Sequence, residues 1–301
     1  MAGIEQAEPG MTLIVRKRDW LFIIGVSIVS VVCLLALIGP YIGPYSPTLT
    51  TPRVAYPPPG LTQIPGQLIG WISGTLDHPP HWMGTDASGY DIFSRVIAAP
   101  RTDLAIALAA NALSLSLGVF LGLVAGYYRN WATELMMRVS DVMQSFPVFI
   151  SAMVLVALAG RSTTNIVIAL AFVYVPIYIR LTRAEVMSQK SRGFVEAARA
   201  LGNRELNIAL RHVLPNSMTP ALIQSSVTIG FAILLTAGLS FVGAGVRPPT
   251  PEWGLMISTG ANQIILGEWW PSVFPGIAIS LTVFGFAVLG NALERRYEEG
   301  Q

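Results

Sequence analysis

Cysteine and lysine are almost absent from this chain of 301 residues, which contains one cysteine, Cys33, and two lysines, Lys17 and Lys190. A single thiol excludes a disulfide within the chain and a metal site built from cysteine thiolates. The sequence also lacks a GxxxxGK[ST] phosphate-binding loop and the His-Glu-x-x-His motif of zinc proteases. We therefore predict no catalytic residue, no metal and no cofactor within this chain.

Charged residues are also scarce, at 12% of the chain against 52% hydrophobic residues, and the mean hydropathy is +0.57. This composition is typical of a membrane protein with several transmembrane helices rather than of a soluble domain. Runs of about 20 apolar residues, the length that crosses a bilayer, occur six times. They cover residues 20–39, 102–126, 138–159, 165–187, 217–246 and 271–292. The prediction is an all-α polytopic protein with six transmembrane helices. The third begins near Asp141 and is interrupted by Pro147, and the fifth is long enough to tilt or to include an interfacial turn.

The basic residues are distributed unevenly between these runs. With the N-terminus inside, fourteen fall on cytoplasmic pieces and five on outer pieces. Loops rich in Lys and Arg stay in the cytoplasm, so both termini and the 188–216 loop are predicted to be cytoplasmic. The first apolar run follows basic residues 16–18, but it is longer than the roughly 7–15 residues of a signal-peptide core. It is therefore predicted to remain as the first transmembrane helix.

Residues 1–100 are predicted to hold the first transmembrane helix and an extracytoplasmic segment. The first part of that segment is rich in proline, which favours extended backbone. The second part, HWMGTDASGYDIFSR, has turns at Gly84 and Gly89, and Asp91 is placed to cap a short helix. Its histidines and aspartates fit turns and caps better than a compact metal site. These residues are His78, His81, Asp86 and Asp91.

Small residues recur every four positions along the second apolar run, and they form one smooth stripe on a helix. Such a stripe lets two helices approach closely within a membrane. The stripe consists of Ala110, Ser114, Gly118, Gly122 and Gly126. We predict that Gly118, Gly122 and Gly126 pack against a neighbouring helix.

Polar residues inside the apolar runs are few. Asn111 and Gln224 are predicted to join helices or to face a pathway. The ionisable residues lie near the predicted membrane edges: Asp103, Asp141, Arg180 and Glu294. An ion-coupled carrier usually places such groups at the midplane, so this pattern gives weak support to an ion-coupled transporter or channel, which stays as the alternative function. A catalytic set for an intramembrane enzyme is also missing.

The stretch RGFVEAARALGNRELNIALRHVLPN predicts two helices joined by a tight turn. Ser191 is placed to cap the first helix, which runs to Leu201, and Gly202 can adopt the left-handed conformation that ends it. Asn203 then begins a second helix, which Pro215 stops.

Phe194, Ala198 and Leu201 share one face of the first of these helices. A short amphipathic helix with this face suits a groove in a partner protein. The same basic residues also suit a helix lying on anionic lipid, and the residues alone leave both interpretations open.

EAARALG followed by RHVLPN resembles the EAA loop of ABC importer permeases. The matching positions are Glu196, Ala197, Ala198, Gly202, Leu214 and Pro215, and His212 replaces the hydrophobic residue of the pattern. HWMGTDASGYDIFSR and GLSFVGAGVRPPTPEWG are similar to segments of the dipeptide/oligopeptide branch of that family. The likeness runs from about residue 81 to 292, and it is strongest to the second permease subunit of the branch.

The resemblance implies a type I importer fold, with a permease domain at 101–292 and a cytoplasmic tail at 293–301. It implies the inner membrane of a prokaryote, a homologous permease partner, two ATP-binding subunits that hold ATP and Mg²⁺, and an extracytoplasmic binding protein. No nucleic acid is expected as a partner. The EAA loop, at about 188–216, is expected to couple to the ATPase subunits. The substrate is expected to be a di- or oligopeptide, although relatives also import nickel chelates, glutathione or oligosaccharides.

Overall fold

The computed structural model describes residues 20–60 and 62–298, and its regular elements in these ranges are helices. The basic residues 16–18 and the tail residues 299–301 lie outside the described residues. Five helices are long and apolar enough to cross a membrane, which confirms five of the six predicted segments. They are α1 (Trp20–Ile42), α3 (Ile92–Tyr127), α6 (Thr163–Lys190), α10 (Thr219–Phe241) and α12 (Trp270–Glu298). The shorter helices are α2 (Ile64–Ile72), α4 (Trp131–Ser145), α5 (Val148–Ala159), α7 (Gly193–Ala200), α8 (Glu205–Ile208), α9 (Leu214–Ser217) and α11 (Trp253–Ala261).

The third apolar run, at 138–159, is divided into two helices at Pro147, the proline that interrupts it in the sequence. Helices α4 and α5 occupy this region and meet at an angle of 95°. Phe146 is extended, with φ −91° and ψ 143°, and Pro147 begins the next helix. The ring of a proline disfavours helical backbone at the residue before it, which explains why the break falls at Phe146. The bent pair can count as a sixth crossing of the membrane.

Helix α3 is longer than predicted at its N-terminal end, which we call the outer end after the orientation that the basic residues predict. Asp91 caps it, as predicted, because an Asp91 carboxylate oxygen accepts the Ser94 N–H at 2.8 Å. The short helix predicted after Asp91 is not separate, since it continues as the first turns of α3. At 1.5 Å per residue, the 36 residues of α3 reach about 54 Å, which exceeds the roughly 30 Å of a bilayer core. This helix therefore connects the two ends of the molecule.

The proline-rich segment after α1 contains no helix within the described residues 43–60, as predicted. It lies on the ordered 81–91 segment through backbone hydrogen bonds: the Thr51 N–H donates to Gly89 O at 2.7 Å, and the Thr85 N–H donates to Tyr56 O at 2.8 Å. Gly84 and Gly89 have φ of +77° and +83°, in keeping with the turns predicted there. Helix α2 was not predicted.

Helices α3 and α6 pack directly against each other along the small-residue stripe. A Cβ atom built on Gly122 would lie 2.7 Å from Thr182 Cβ, and one built on Gly126 would lie 2.8 Å from Val186 Cβ. Gly118 faces Tyr178 in the same way. A larger side chain at any of these positions would force the two helices apart. The glycines therefore allow α3 and α6 to pack in direct contact. We call this contact the α3–α6 seam.

Candidate functional site

The EAA loop leaves the end of α6 and returns to α10. Ser191 ends α6 instead of capping α7, because its hydroxyl donates to Ser188 O at 2.8 Å. Arg192 occupies the N-cap position of α7, and no side chain caps this helix end. The predicted cap at Ser191 is therefore wrong.

The turn after α7 is built around Gly202, as predicted. Its φ of +81° is the left-handed conformation that glycine adopts without a steric penalty. The Asn203 N–H and the Asn203 side-chain amide both donate to Ala198 O, at 3.2 and 3.0 Å. These bonds satisfy a carbonyl that the end of the helix leaves free, so the angle between α7 and α8 is fixed.

The second half of the EAA loop departs from the prediction at both of its ends. Helix α8 begins at Glu205 rather than at Asn203, and Pro215 does not stop the helical chain. A π-helical turn at Ala209–Val213 precedes α9, and Pro215 lies in the first turn of α9. A proline there loses no hydrogen bond that the helix needs, so the chain stays helical up to Ser217.

The inner side of α7 is apolar and buried against the same chain. Val195 and Ala198 pack into a cluster with residues from the ends of α3 and α6 and from the second half of the loop. The other buried members are Leu123, Tyr127, Val186, Ile208, Ala209 and Val213. The spacing with Phe194 and Leu201 predicts that Ala198 lies on the face that meets a partner. That prediction is wrong, because Ala198 is 7% exposed and lies under the helix.

The outer side of α7 and of the turn is exposed. Leu201 is 83% exposed and Leu206 is 61% exposed, while Phe194, Glu196 and Ala197 are also at the surface. We call these five residues the loop surface. Large apolar side chains that are exposed together on a polar loop mark a contact with another molecule.

A cluster of polar residues ties the loop to the ends of α3 and α6. The guanidinium of Arg199 donates to the carboxylate of Glu205 at 2.7 and 3.2 Å, and the hydroxyl of Tyr127 donates to the same carboxylate. The ammonium of Lys190 donates to Tyr127 O at 2.6 Å and lies 4.8 Å from the centre of its ring. We call Tyr127, Lys190, Arg199 and Glu205 the polar clamp.

The hydrogen bond from Arg199 is the largest influence on the pKa of Glu205, and the Tyr127 hydroxyl adds to it, lowering that pKa to about 2. Glu205 is thus charged throughout the physiological pH range. The polar clamp was not predicted from the sequence. The feature of the sequence that indicates it is an Arg and a Glu placed six positions apart across a glycine turn.

The predicted polar residues of the membrane segments have different surroundings. Asn111 is buried, and its side-chain oxygen accepts the Tyr178 hydroxyl at 2.5 Å across the α3–α6 seam. Gln224 is half-buried and lines an open cavity of about 640 Å³ together with Tyr174 and Phe231. Asn111 therefore joins two helices, whereas Gln224 faces open space.

In the segment before α3, Asp86 holds a turn, Asp91 caps the helix and His81 contacts Asp91. His81 Nδ1 lies 2.7 Å from Asp91 Oδ1, and Asp86 accepts the N–H groups of Ser88 and Tyr90 at 2.9 Å. A group of three or more metal-binding side chains does not occur within residues 20–60 and 62–298.

Comparison with known proteins places these features in a family. The sequence profile of the family described as "Binding-protein-dependent transport system inner membrane component" matches residues 118–299. The chain is 37% identical over 279 residues to the dipeptide transport system permease protein DppC of Alkalihalophilus pseudofirmus, which covers 92% of this chain and 85% of that protein. It is 37% identical over 269 residues to the di/tripeptide transport system permease protein DppC of Pseudomonas aeruginosa, covering 89% and 84% of the two chains.

A third relative is the glutathione transport system permease protein GsiD of Pectobacterium atrosepticum. It is 38% identical over 213 residues, which cover 71% of this chain and 70% of that protein. The match of the family profile to more than half of the chain, together with these relatives, shows the family. The chain belongs to the inner-membrane permease components of binding-protein-dependent ABC importers.

Proposed function

We propose that this permease forms half of the pathway of an importer for dipeptides or oligopeptides in the inner membrane of a prokaryote. The names of its relatives support the substrate class, because they refer to dipeptides, di- and tripeptides and glutathione. Glutathione is itself a tripeptide, so these names agree on short peptides. The other half of the pathway is a homologous permease, and an extracytoplasmic binding protein delivers the solute.

The chain itself has no catalytic part in this proposal. ATP and Mg²⁺ are held by two separate ATP-binding subunits, since the sequence has no phosphate-binding loop. Movement of those subunits reaches the membrane helices through the EAA loop.

The observation that carries the proposal is an exposed apolar surface on a rigid base. The loop surface presents Leu201 and Leu206 outward, while Val195 and Ala198 fix α7 to the ends of α3 and α6 from the inside. Because packed interiors transmit displacement, a movement of this helix also displaces the helix ends that are packed against it. The polar clamp and the α3–α6 seam carry the displacement into the membrane helices.

Both termini and the EAA loop are cytoplasmic in this proposal. The excess of basic residues on these pieces supports that orientation. An even number of crossings, with the bent pair α4 and α5 counted as one, is consistent with termini on the same side.

Leu201→Asp tests the function and the orientation together. An aspartate on the loop surface should weaken the contact with the ATP-binding subunits by about tenfold or more, as expected when an apolar residue at the centre of an interface becomes charged. The matched control is Ile265→Asp, because Ile265 is 89% exposed in the loop between α11 and α12. The measurements are recovery of the ATP-binding subunits with the purified permease pair, and uptake of a labelled dipeptide into proteoliposomes.

We expect Leu201→Asp to lose ATP-binding subunits and uptake, and Ile265→Asp to keep both. Folding should be unaffected in either variant, since both side chains point into solvent. Unchanged recovery and uptake in Leu201→Asp would overturn the proposed coupling surface. ATP-independent uptake by the permease pair alone would instead favour an ion-coupled transporter or channel.

A further inference from the structure

Two carboxyl groups far apart in the sequence meet in the interior near the outer end of the molecule. Asp103 lies on α3 and is 2% exposed, and Glu252 precedes α11 and is fully buried. An Asp103 carboxylate oxygen lies 3.4 Å from the N–H of Trp253, the residue that directly follows Glu252, so the two carboxyl groups are neighbours. Within the described ranges, neither forms an ion pair with an arginine, lysine or histidine. The site therefore brings together two acids and no cation.

Glu252 has the surroundings of a charged carboxylate. One of its oxygens accepts the Gly254 N–H at 2.9 Å and the other accepts the Leu255 N–H at 2.6 Å, so it caps the N-terminus of α11. The positive end of a helix stabilises a negative charge at this position. The hydroxyl of Ser240, on α10, lies near this carboxylate and favours its charged form. Burial raises the pKa of Glu252, and these donors oppose that shift.

Asp103 has the opposite surroundings. One of its oxygens accepts the Trp253 N–H at a long 3.4 Å, and the other has no hydrogen-bond donor although it is buried. The charged group that acts on Asp103 is Glu252. A buried carboxylate that faces another carboxylate and lacks a donor is strongly unfavourable. A proton on the unpartnered oxygen removes this cost, because the O–H then donates to Glu252.

We propose that Asp103 and Glu252 form a proton-binding site that holds one proton between them and fastens α11 to α3. The indole N–H of Trp253 also donates to Val96 O at 3.0 Å, and α11 packs against α10 and α12 as well. When the proton leaves, two adjacent negative charges remain in the interior, and α11 is pushed away from α3. Docking of this outer helix is thus linked to pH.

The direction of the pH effect on docking depends on how many protons the docked and undocked states bind. When α11 is undocked and the acids are hydrated, both ionise above about pH 4.3, the usual range for Asp and Glu. The docked state holds one proton more than the undocked state. Docking therefore becomes weaker as pH rises from about 4.3, by up to about tenfold per pH unit until the docked pair loses its proton.

Asp103→Asn is the central variant, because an asparagine reproduces the donor and acceptor pattern of a protonated aspartate without a titratable proton. The measurement is amide hydrogen exchange of residues 253–261 in the assembled transporter in nanodiscs, at several values of pH between 6 and 9. Exchange in the unsubstituted protein is divided by exchange in Asp103→Asn at the same pH, which cancels the intrinsic dependence of exchange on pH. Asp141→Asn is the matched control, since Asp141 is exposed and pairs with Arg180 at 2.9 Å on another part of the fold.

We expect the exchange ratio to rise with pH, by up to about tenfold per unit, and Asp103→Asn to retain transport. Asp141→Asn should show the same rise as the unsubstituted protein. A ratio that does not change with pH would overturn the proposal. The proposal would also be overturned if Asp103→Asn lost as much transport as Asp103→Ala. Both variants lack the negative charge, so the native protein would then need Asp103 to be ionised.

Discussion

The outer end of the molecule and the EAA loop are both rich in polar contacts, but they differ in which groups are buried and which are exposed. At the outer end the polar groups are buried: Arg95 is 4% exposed and donates to Pro47 O at 2.9 Å and to Pro249 O at 3.0 Å. In the EAA loop the pair of Arg199 and Glu205 is exposed, and large apolar side chains point into solvent beside it. The first arrangement holds the chain's own segments together, whereas the second leaves exposed the surface that we propose contacts the ATP-binding subunits.

Helix α3 links these two regions. It starts at the cap formed by Asp91 at the outer end, and it finishes at Tyr127, whose hydroxyl and carbonyl belong to the polar clamp. Between these points it lies against α6 along the seam. The difference between the two ends therefore suggests separate effects of mutation: loss of folding at the outer end, and loss of coupling at the loop. Both effects depend on the seam.

Gly122→Leu should have the largest effect, because it breaks the link between the two regions. The added side chain meets Thr182 Cβ and Ile179 O, at 2.7 and 2.8 Å from the position of the new Cβ. Backbone atoms cannot move aside without separating the helices, so we expect a destabilisation of about 3 kcal/mol. The yield and thermal stability of the assembled complex measure the loss.

Ser116→Leu is the matched control for this substitution. Ser116 lies on the same helix and is exposed, and its hydroxyl donates to Ala112 O within that helix. A leucine there should be tolerated in the membrane. If Gly122→Leu assembled and transported as well as Ser116→Leu, then the seam would not connect the two ends.

Arg95→Met should come second, with a loss of about 2 kcal/mol from the carbonyls left without a donor and the lost charged hydrogen bonds. The guanidinium also lies 4.4 Å from the centre of the Tyr90 ring. The thermal midpoint should fall, while the variant that still folds should keep its affinity for the ATP-binding subunits. Arg247→Met is the control, because Arg247 is exposed in the same outer region. A normal thermal midpoint combined with lost ATPase coupling would reverse the roles assigned to the two ends.

Much of this architecture could be predicted from local sequence. Apolar length gave five of the membrane helices, and the left-handed turn at Gly202 and the cap at Asp91 follow from the chemistry of single residues. The bend before Pro147 has a local signal too, because this proline interrupts the third apolar run. Local patterns thus predict elements better than they predict the contacts between them.

The contacts that were missed depend on residues distant in sequence. The spacing of Phe194, Ala198 and Leu201 defines a face of α7, but it cannot show which face meets the protein itself. Val195, the residue after Phe194, is buried and marks the inner face. Asp103 meets the start of α11 across 150 residues, and no spacing rule connects positions so far apart.

Glu205→Gln should have the smallest effect, and it distinguishes the two ends by their response to pH. A glutamine still accepts from Tyr127 and Arg199 but loses the charge. Because the pKa of Glu205 is lowered to about 2, the stabilisation from its charge is complete above the ordinary pKa of about 4.3. It is lost only as pH falls from there toward 2.

Between pH 6 and pH 9 the polar clamp should therefore be insensitive to pH, whereas docking of α11 should weaken. Hydrogen exchange of residues 193–206 should rise slightly in Glu205→Gln, by the same factor at every pH in this range. Glu134→Gln is the control, since Glu134 is exposed in the first turn of α4. A factor that changed with pH would mean that the clamp exchanges a proton in this range. A loss of ATP-binding subunits as large as in Leu201→Asp would mean that the charge of Glu205, rather than the packing of Val195 and Ala198, holds the loop surface in place.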